Sequence, residues 1–280
     1  MQTEKANFTI AFMCRQLGVA RSGYYAWCRR KESPRAVENR RLLVHIRAAH
    51  ELGRGEYGSP RIHRELRATG EQVGRHRVAR LMRQDQLAAK RRRRFVLTTD
   101  SSHPHRIAPN TLKRRFNPET PNRVWAADIT YVATREGWLY LAVVLDLFSR
   151  RVVGWHTSRL IDQELTLTAL KMAVMARRPE PGLLHHSDRG VQYAGDAYQA
   201  LLASNRAICS MSRKGNCWDN AVVESFFNTL KTGLGHDVDF NSRKEATTAI
   251  FEYVEVFYNR QRRHSSLDYV SPTEYERLAS

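Results

Sequence analysis

The sequence has little of what staples or anchors a chain. Its four cysteines, Cys14, Cys28, Cys209 and Cys217, form no C-x-x-C pair and meet no histidines at zinc-ligand spacing. This argues against a disulfide framework and a structural zinc site, and for reduced thiols. The start, MQTEKANFTIAFMCRQLG, lacks the long apolar core of a signal peptide. The most apolar run, WLYLAVVLDLF, is too short to cross a bilayer and contains Asp146. The expectation is a soluble cytoplasmic protein without a membrane partner. Internal repeats and sustained heptads are also missing, which leaves a globular fold.

Acid is scarce in one part only. Residues 1–117 hold 27 Lys and Arg against 9 Asp and Glu, whereas residues 118–280 hold 19 of each. The whole formal excess of +18 therefore lies in the first part of the chain. Segregated charge of one sign calls for a polyanion, and nucleic acid is the usual one. The 280 residues suggest about two domains, and 42% hydrophobic residues suffice for a packed core.

The basic part reads as helices. FTIAFMCRQLGVARSGYYAWC suggests two short helices around Gly18, with Ile10, Met13, Leu17 and Val19 on the apolar side and Ser22 as a cap. YGSPRIHRELRATG suggests a helix capped by Ser59, with Ile62 and Leu66 inward. In VGRHRVARLMRQDQL, Val78, Leu81 and Met82 face inward while Arg75, Arg77, Arg80 and Arg83 face outward. Arginines along the second helix of such a pair suit a DNA groove, although a solvated face would look the same. Residues 90–117 read as a linker with clusters Lys90–Arg94 and Lys113–Arg115, able to follow phosphates. Arg91, Arg92, Arg93 and Arg94 are candidate DNA contacts.

From residue 122 the period changes. Val124, Ala126, Asp128, Thr130 and Val132 share one strand face. A hairpin follows, from Trp138–Leu145 to Arg151–His156. DQELTLTALKMAVMARR reads as a helix with Leu165, Ala169, Met172 and Met175 on one side. The order is three strands, helix, strand, helix, strand, helix: an α/β domain whose five-stranded sheet is antiparallel at first and parallel later.

Three acids stand out. Asp128 lies mid-strand among apolar neighbours, where an unpaired acid is costly. Asp188 ends a strand, and Glu224 lies on the helix NAVVESFFNTLK. On that helix Val222, Val223, Phe226, Phe227 and Leu230 share a broad apolar arc. Asn220, Glu224, Asn228 and Lys231 fall opposite, within roughly 80°. A solvated stripe would look like this, and so would a stripe holding Glu224 in a site. Carboxylates at strand ends and on a covering helix can converge at the carboxyl edge of a sheet. Packed together they repel, unless a hard cation such as Mg²⁺ or Mn²⁺ joins them. Two such ions can drive phosphodiester attack.

Other residues read as structural: Asp219, Asp162 and Asp196 as helix caps, Asp146 as a turn acid, His185 and His186 as strand histidines, and Trp125 and Trp138 as core.

WAADITYV, HHSDRGVQY and GNCWDNAVVESFFNTLK resemble the DDE transposases of the retroviral-integrase superfamily. Together with EYGSPRIHREL and YNRQRRHSSLDYVSPTEYE, they resemble the second-reading-frame product of the insertion-sequence-three family. The resemblance covers nearly the whole chain. It implies an RNase H-like catalytic domain at 118–280 with a basic C-terminal tail, after a helix-turn-helix region at 1–89 and a basic linker at 90–117. It also implies Asp128, Asp188 and Glu224 as catalytic acids holding two Mg²⁺, with Mn²⁺ able to substitute. Lys231, seven residues after the glutamate, matches the family's lysine. Asn228, Asn220, Arg75, Arg77, Arg80, Arg260, Arg262 and Arg263 join the expected DNA contacts. The implied partners are the element's terminal repeats, target DNA, further copies of the chain and a first-reading-frame product, at the bacterial nucleoid. A non-catalytic DNA-binding regulator, or a nuclease of this fold without strand transfer, would share many of these features.

Overall fold

The computed structural model describes residues 1–90, 105–213, 217–235 and 238–279. Arg91 to Arg94 therefore lie outside the described residues.

The charge-neutral part is built on five strands: β1 (Val124–Thr134), β2 (Gly137–Asp146), β3 (Val152–Ser158), β4 (Leu184–Ser187) and β5 (Ile208–Met211). Their order in the sheet is β3-β2-β1-β4-β5. The β1–β2 and β2–β3 pairs are antiparallel, and the β1–β4 and β4–β5 pairs are parallel. The mixed sheet read from the strand pattern is the one observed. Alternation along β1 feeds two cores. Trp125 and Ala127 pack on the face covered by α6 (Gln163–Arg177) and α8 (Asp196–Ser204). Ala126, with Val124 and Val132 against it, packs on the face covered by α9 (Ala221–Leu234) and α10 (Arg243–Phe251). Between β4 and α8 runs the single turn α7 (Val191–Ala194).

The inward face of α6 differs from the expected one. Leu165, Thr166, Ala169, Leu170 and Ala173 are buried, while Met172 and Met175 point to solvent. Small residues win this face because the helix lies close on β3: a Cβ on Gly154 would overlap the Ala169 carbonyl. Asp162 caps α6 through Leu165 N–H, as expected. Asp196 caps nothing, since Gly195 holds the cap position of α8.

The basic part is helical: α1 (Ile10–Gln16), α2 (Arg21–Arg29), α3 (Pro34–Leu52), α4 (Ser59–Ala68) and α5 (Arg75–Gln84). α3 was not read from the sequence, although Ser33 caps it, Pro34 opens it, and Leu42, Ile46 and Ala49 recur on its buried side. Ala20 rather than Ser22 precedes α2, and Leu17 and Val19 are exposed. Ser59 falls inside α4, with Gly58 at the cap position. Several of the region's few acids brace helices: Arg41 pairs with Glu38 and Glu71, and Arg47 with Asp85.

Helices α3 to α5 share one hydrophobic cluster with α9 and α10, so the two parts are packed together. The C-terminal segment completes this seam. Beyond α10 the helix widens into a π-helical stretch, Glu252–Tyr258, that buries Tyr253, Val254, Phe257 and Tyr258. The chain then runs to α11 (Pro272–Ala279). At the seam Glu56, which precedes α4, accepts from Tyr253 Oη (2.9 Å) and Arg262 Nε (2.9 Å). Tyr253 Oη also approaches the Thr229 carbonyl of α9 at 3.2 Å. The expected basic tail is thus in part an internal strut.

α9 can approach this strut only because residue 233 is glycine. A Cβ there would overlap both the Tyr253 ring and Glu56 Oε1. Gly233→Ala is expected to destabilise the protein by about 1–3 kcal/mol through overpacking, read by chemical denaturation. An unchanged denaturation midpoint would contradict this packing.

Candidate active site

The β1–β4 register puts Val124 opposite Leu184, Trp125 opposite His185 and Ala126 opposite His186. Two further residues along each strand come Asp128 and Asp188, which follows the last residue of β4. The 59 residues between these acids are thus the number that the parallel pairing requires. Asp128 Oδ1 accepts from Ile129 N–H at 2.8 Å. Asp188 is fixed in a turn, its Oδ1 accepting from Gly190 N–H at 2.9 Å.

Glu224 arrives from above the sheet. A 3-10 turn, Cys217–Asn220, leads into α9, and Asn220 Nδ2 donates to the Ala127 carbonyl (3.3 Å). This tether fixes the start of α9 beside Asp128, and Glu224 follows one turn later. Three carboxylates therefore share one end of the sheet. Burial pushes the Asp128 carboxyl well above the usual range, and the charges of Asp188 and Glu224 push it the same way. Glu224 is raised as well, by burial. Among the described residues, no three His, Cys, Asp or Glu side chains are grouped closely enough to hold a metal ion as they stand. The donors suit a hard cation shared between pairs of carboxylates better than a structural zinc. Beside them Asn220 Oδ1 is buried without a hydrogen-bond partner.

Other expected site residues are distributed differently. Lys231 Nζ lies 4.6 Å over the Tyr131 ring, and burial lowers its pKa to about 8. Asn228 is half-buried on the same stripe. Asn220 is a correction: it is 5% exposed and committed to β1, so it tethers α9 and presents nothing to a ligand in solvent. Arg262 and Arg263 are corrections too. Arg262 is buried on Glu56, and Arg263 pairs with Glu65 and donates to the Tyr269 carbonyl (2.9 Å). Arg260 is exposed. On α5, Arg75 is exposed, but Arg77 is half-buried on Asn39 Oδ1 (2.9 Å) and Arg80 is half-buried with Nη2 enclosed. Neither forms part of a free arginine row.

Asp219 is no helix cap. It is buried and gathers Arg213 (Nε 2.9 Å, Nη2 2.9 Å), Arg114 (Nε 3.0 Å) and Asn110 (Nδ2 2.8 Å). The Arg213 hydrogen bond does most to hold its carboxyl far below the usual range. Trp125 is core as expected, but Trp138 is half exposed, edge-on to Tyr131 at 4.8 Å. Asp146 is buried, accepting from Asn122 N–H (2.7 Å) and Phe148 N–H (2.9 Å). His185 and His186 are packed inside, on Tyr198 Oη (3.0 Å) and between Ser210 Oγ (2.9 Å) and Ser212 Oγ (3.1 Å).

The arrangement matches known families. Two models described as integrase core domain match residues 118–217 and 205–272, and one described as HTH-like domain matches residues 37–95. The chain is 47% identical over 263 residues to the "Insertion element IS600 uncharacterized 31 kDa protein" of Shigella sonnei, covering 94% of this chain and 97% of that protein. It is 42% identical over 278 residues to "Transposase InsF for insertion sequence IS3A" of Escherichia coli (strain K12), covering 99% and 96%. It is also similar to a chain of the simian T-cell lymphotropic virus intasome, with a TM-score of 0.49, 16% identity and coverage of 74% and 68%. Fold and site thus define an RNase H-like integrase core joined to an HTH-like region. The chain belongs to the IS3 family of DDE transposases, and so to the DNA polynucleotidyl transferases. Among the described residues, no helix is long and apolar enough to cross a membrane.

Burial lowers His185 to about 3 and His186 to about 4. Both stay neutral in the fold, whereas an unfolded chain protonates them below about pH 6.5. Each therefore loses stability for the fold as pH falls from 6.5 towards its folded value. Between pH 7 and 5.5 the stability of His186→Asn relative to wild type should shift by about 1 kcal/mol in the variant's favour. A pH-independent difference in urea denaturation would contradict the buried neutral histidine.

Proposed function

We propose that Asp128, Asp188 and Glu224 are the metal-ligating acids of DNA strand cleavage and joining, with two Mg²⁺ per site and Mn²⁺ able to replace them. The observation that carries the reading is Asp128: a half-buried carboxylate on β1 whose charge is opposed by loss of solvent and by two further acids. Such a site gains from cations, and hard oxygen donors select Mg²⁺ or Mn²⁺. When bound, the ions would activate the attacking water or 3′-hydroxyl and stabilise the leaving oxygen. The protein's own part is positional. Ile129 N–H and Gly190 N–H fix the two aspartates, and the Asn220 tether holds Glu224 over them. Lys231, on the Glu224 stripe, would meet a phosphate beside the scissile one.

The helical region 1–89 is read as the DNA-recognition unit, residues 90–117 as the basic connection and residues 118–280 as the catalytic unit. The segregated charge and exposed Arg75 support this division. The substrate would be the element's terminal repeats and target DNA, engaged by more than one copy of the chain near the nucleoid. A first-reading-frame partner would supply further recognition.

Asp128→Asn, Asp188→Asn and Glu224→Gln should each lower cleavage of a labelled terminal-repeat duplex in Mg²⁺ by on the order of 10³-fold or more, while duplex binding changes little. An active Glu224→Gln protein would overturn the assignment. Metal-dependent cleavage without joined products would favour a nuclease, and DNA binding without cleavage would favour a regulator.

A further inference from the structure

The Glu224 stripe leads along α9 to a second group of side chains. Seven residues bring Lys231 back to the side of Glu224, about 10 Å further along the axis. On β1 the three residues from Asp128 to Tyr131 also span about 10 Å. Lys231 Nζ lies 4.6 Å over the Tyr131 ring, so helix and strand run side by side from the acids to this pair. β4 pairs with β1 at Val124, Trp125 and Ala126, and beyond them β1 is flanked by α9. Tyr131 in turn meets Trp138 of β2, the ring centroids 4.8 Å and the planes 76° apart. Trp138 is 50% exposed. Glu224, Lys231, Tyr131 and Trp138 thus form a row from the carboxylates to a half-open indole.

A lone apolar side chain at the surface is ordinary. Trp138 differs in being held in place. The turn that carries it is braced: the Gly137 carbonyl accepts from Thr134 Oγ1 (2.6 Å), and the Trp138 carbonyl accepts from Arg243 Nε (3.0 Å). Beside them Arg135 N–H donates to the Phe240 carbonyl (2.9 Å). Glu136, the acid of this turn, accepts from Arg243 N–H (2.8 Å). The indole is backed by the Tyr131 ring and has cations on two sides, Lys231 across Tyr131 and Arg243 at its own backbone. A rigid aromatic among cations is a surface on which nucleobases stack, whatever their sequence, because every base has a π face.

The occupant follows from position. A strand whose scissile phosphate lies at Glu224 and whose next phosphates follow the stripe past Lys231 arrives at Trp138. We propose that Trp138, backed by Tyr131, is a stacking platform for an unpaired base of that strand, a few nucleotides from the cleavage point. The proposal rests on the reading of Glu224 as an active-site acid. It also meets a need of the site. Asp128, Asp188 and Glu224 are half-buried, so a strand reaches them more closely once it leaves its duplex. Opening the duplex costs unpairing and unstacking, and a base stacked on Trp138 offsets part of that cost.

The test uses the full chain without divalent metal, so that no strand is cut, and a terminal-repeat duplex left unpaired around the cleavage point. One abasic site is moved through the positions within about four nucleotides of that point, since the row is a few steps of about 3.4 Å long. At one position the missing base should weaken binding to wild type by roughly tenfold, and binding to Trp138→Leu by less than about twofold. Trp138→Phe, which restores an aromatic face, should keep most of the penalty. A residue that acted only through packing would change affinity for every duplex alike. Equal abasic penalties in wild type and Trp138→Leu at every position would overturn the platform. Should Trp138→Leu not fold, a fluorescent purine analogue at the scanned positions gives the reading in wild type. Quenching on binding at one position supports the platform, and undiminished fluorescence at all of them overturns it. Cleavage by Glu224→Gln in Mg²⁺ is scored separately. An active Glu224→Gln with the abasic difference intact would sink the acid assignment alone, and an inactive one without that difference would sink the platform alone.

Discussion

The structure is organised around a charge in an unfavourable place. A carboxylate in the middle of β1, between two hydrophobic cores and within reach of two further acids, opposes folding by itself. Each neighbouring feature limits how far that strain can relax. The β1–β4 register keeps Asp188 level with Asp128, and the Asn220 tether keeps α9 from lifting away. The acids cannot separate, so the site keeps a standing demand for positive charge. Fully solvated carboxylates would show a weaker demand, because solvent would screen them, whereas these three are half-buried.

A second set of constraints acts on α9 from its other side. Glu56, Tyr253 and Arg262 form a buried polar cluster where the HTH-like region, the π-helical stretch and the C-terminal segment meet. Gly233 lets α9 come close to it. A buried ion pair of this kind costs desolvation and adds little net stability, but it is intolerant of misplacement. Its effect is to define where α9 lies. The helix bearing Glu224 is thus held at its start by β1 and near its end by the basic half of the chain. The HTH-like region and the integrase core thus meet at one helix.

Much of this was legible in the sequence. Alternation in RVWAADITYVA gave β1 its two faces, and the parallel register accounts for the spacing of Asp128 and Asp188. The stripe on NAVVESFFNTLK separated Glu224 from the buried phenylalanines, Phe226 and Phe227. What stayed hidden depends on partners distant in the chain. Arg262 and Arg263 look like a basic tail until Glu56 and Glu65, some 200 residues earlier, are placed against them. Asp219 looks like a cap until Arg114 and Arg213 close on it. Met172 and Met175 were assigned inward by hydrophobicity, but the close approach of β3 at Gly154 favours the small face of α6. α3 carried a readable Ser-Pro start and was still missed, because its exposed Val37 and Val44 blur the apolar stripe.

The most direct test of the account is the thermal response to metal of wild type beside Asp128→Asn. Asn keeps an acceptor for Ile129 N–H and removes the opposed charge, so without divalent metal the variant should melt no lower than wild type. Mg²⁺ at ten times its dissociation constant should add about 1.4 kcal/mol to wild type, a rise of roughly 2–5 °C. The variant's melting temperature should stay where it was. Equal Mg²⁺ shifts in the two proteins would contradict the claim that Asp128 is the charge around which the site is built.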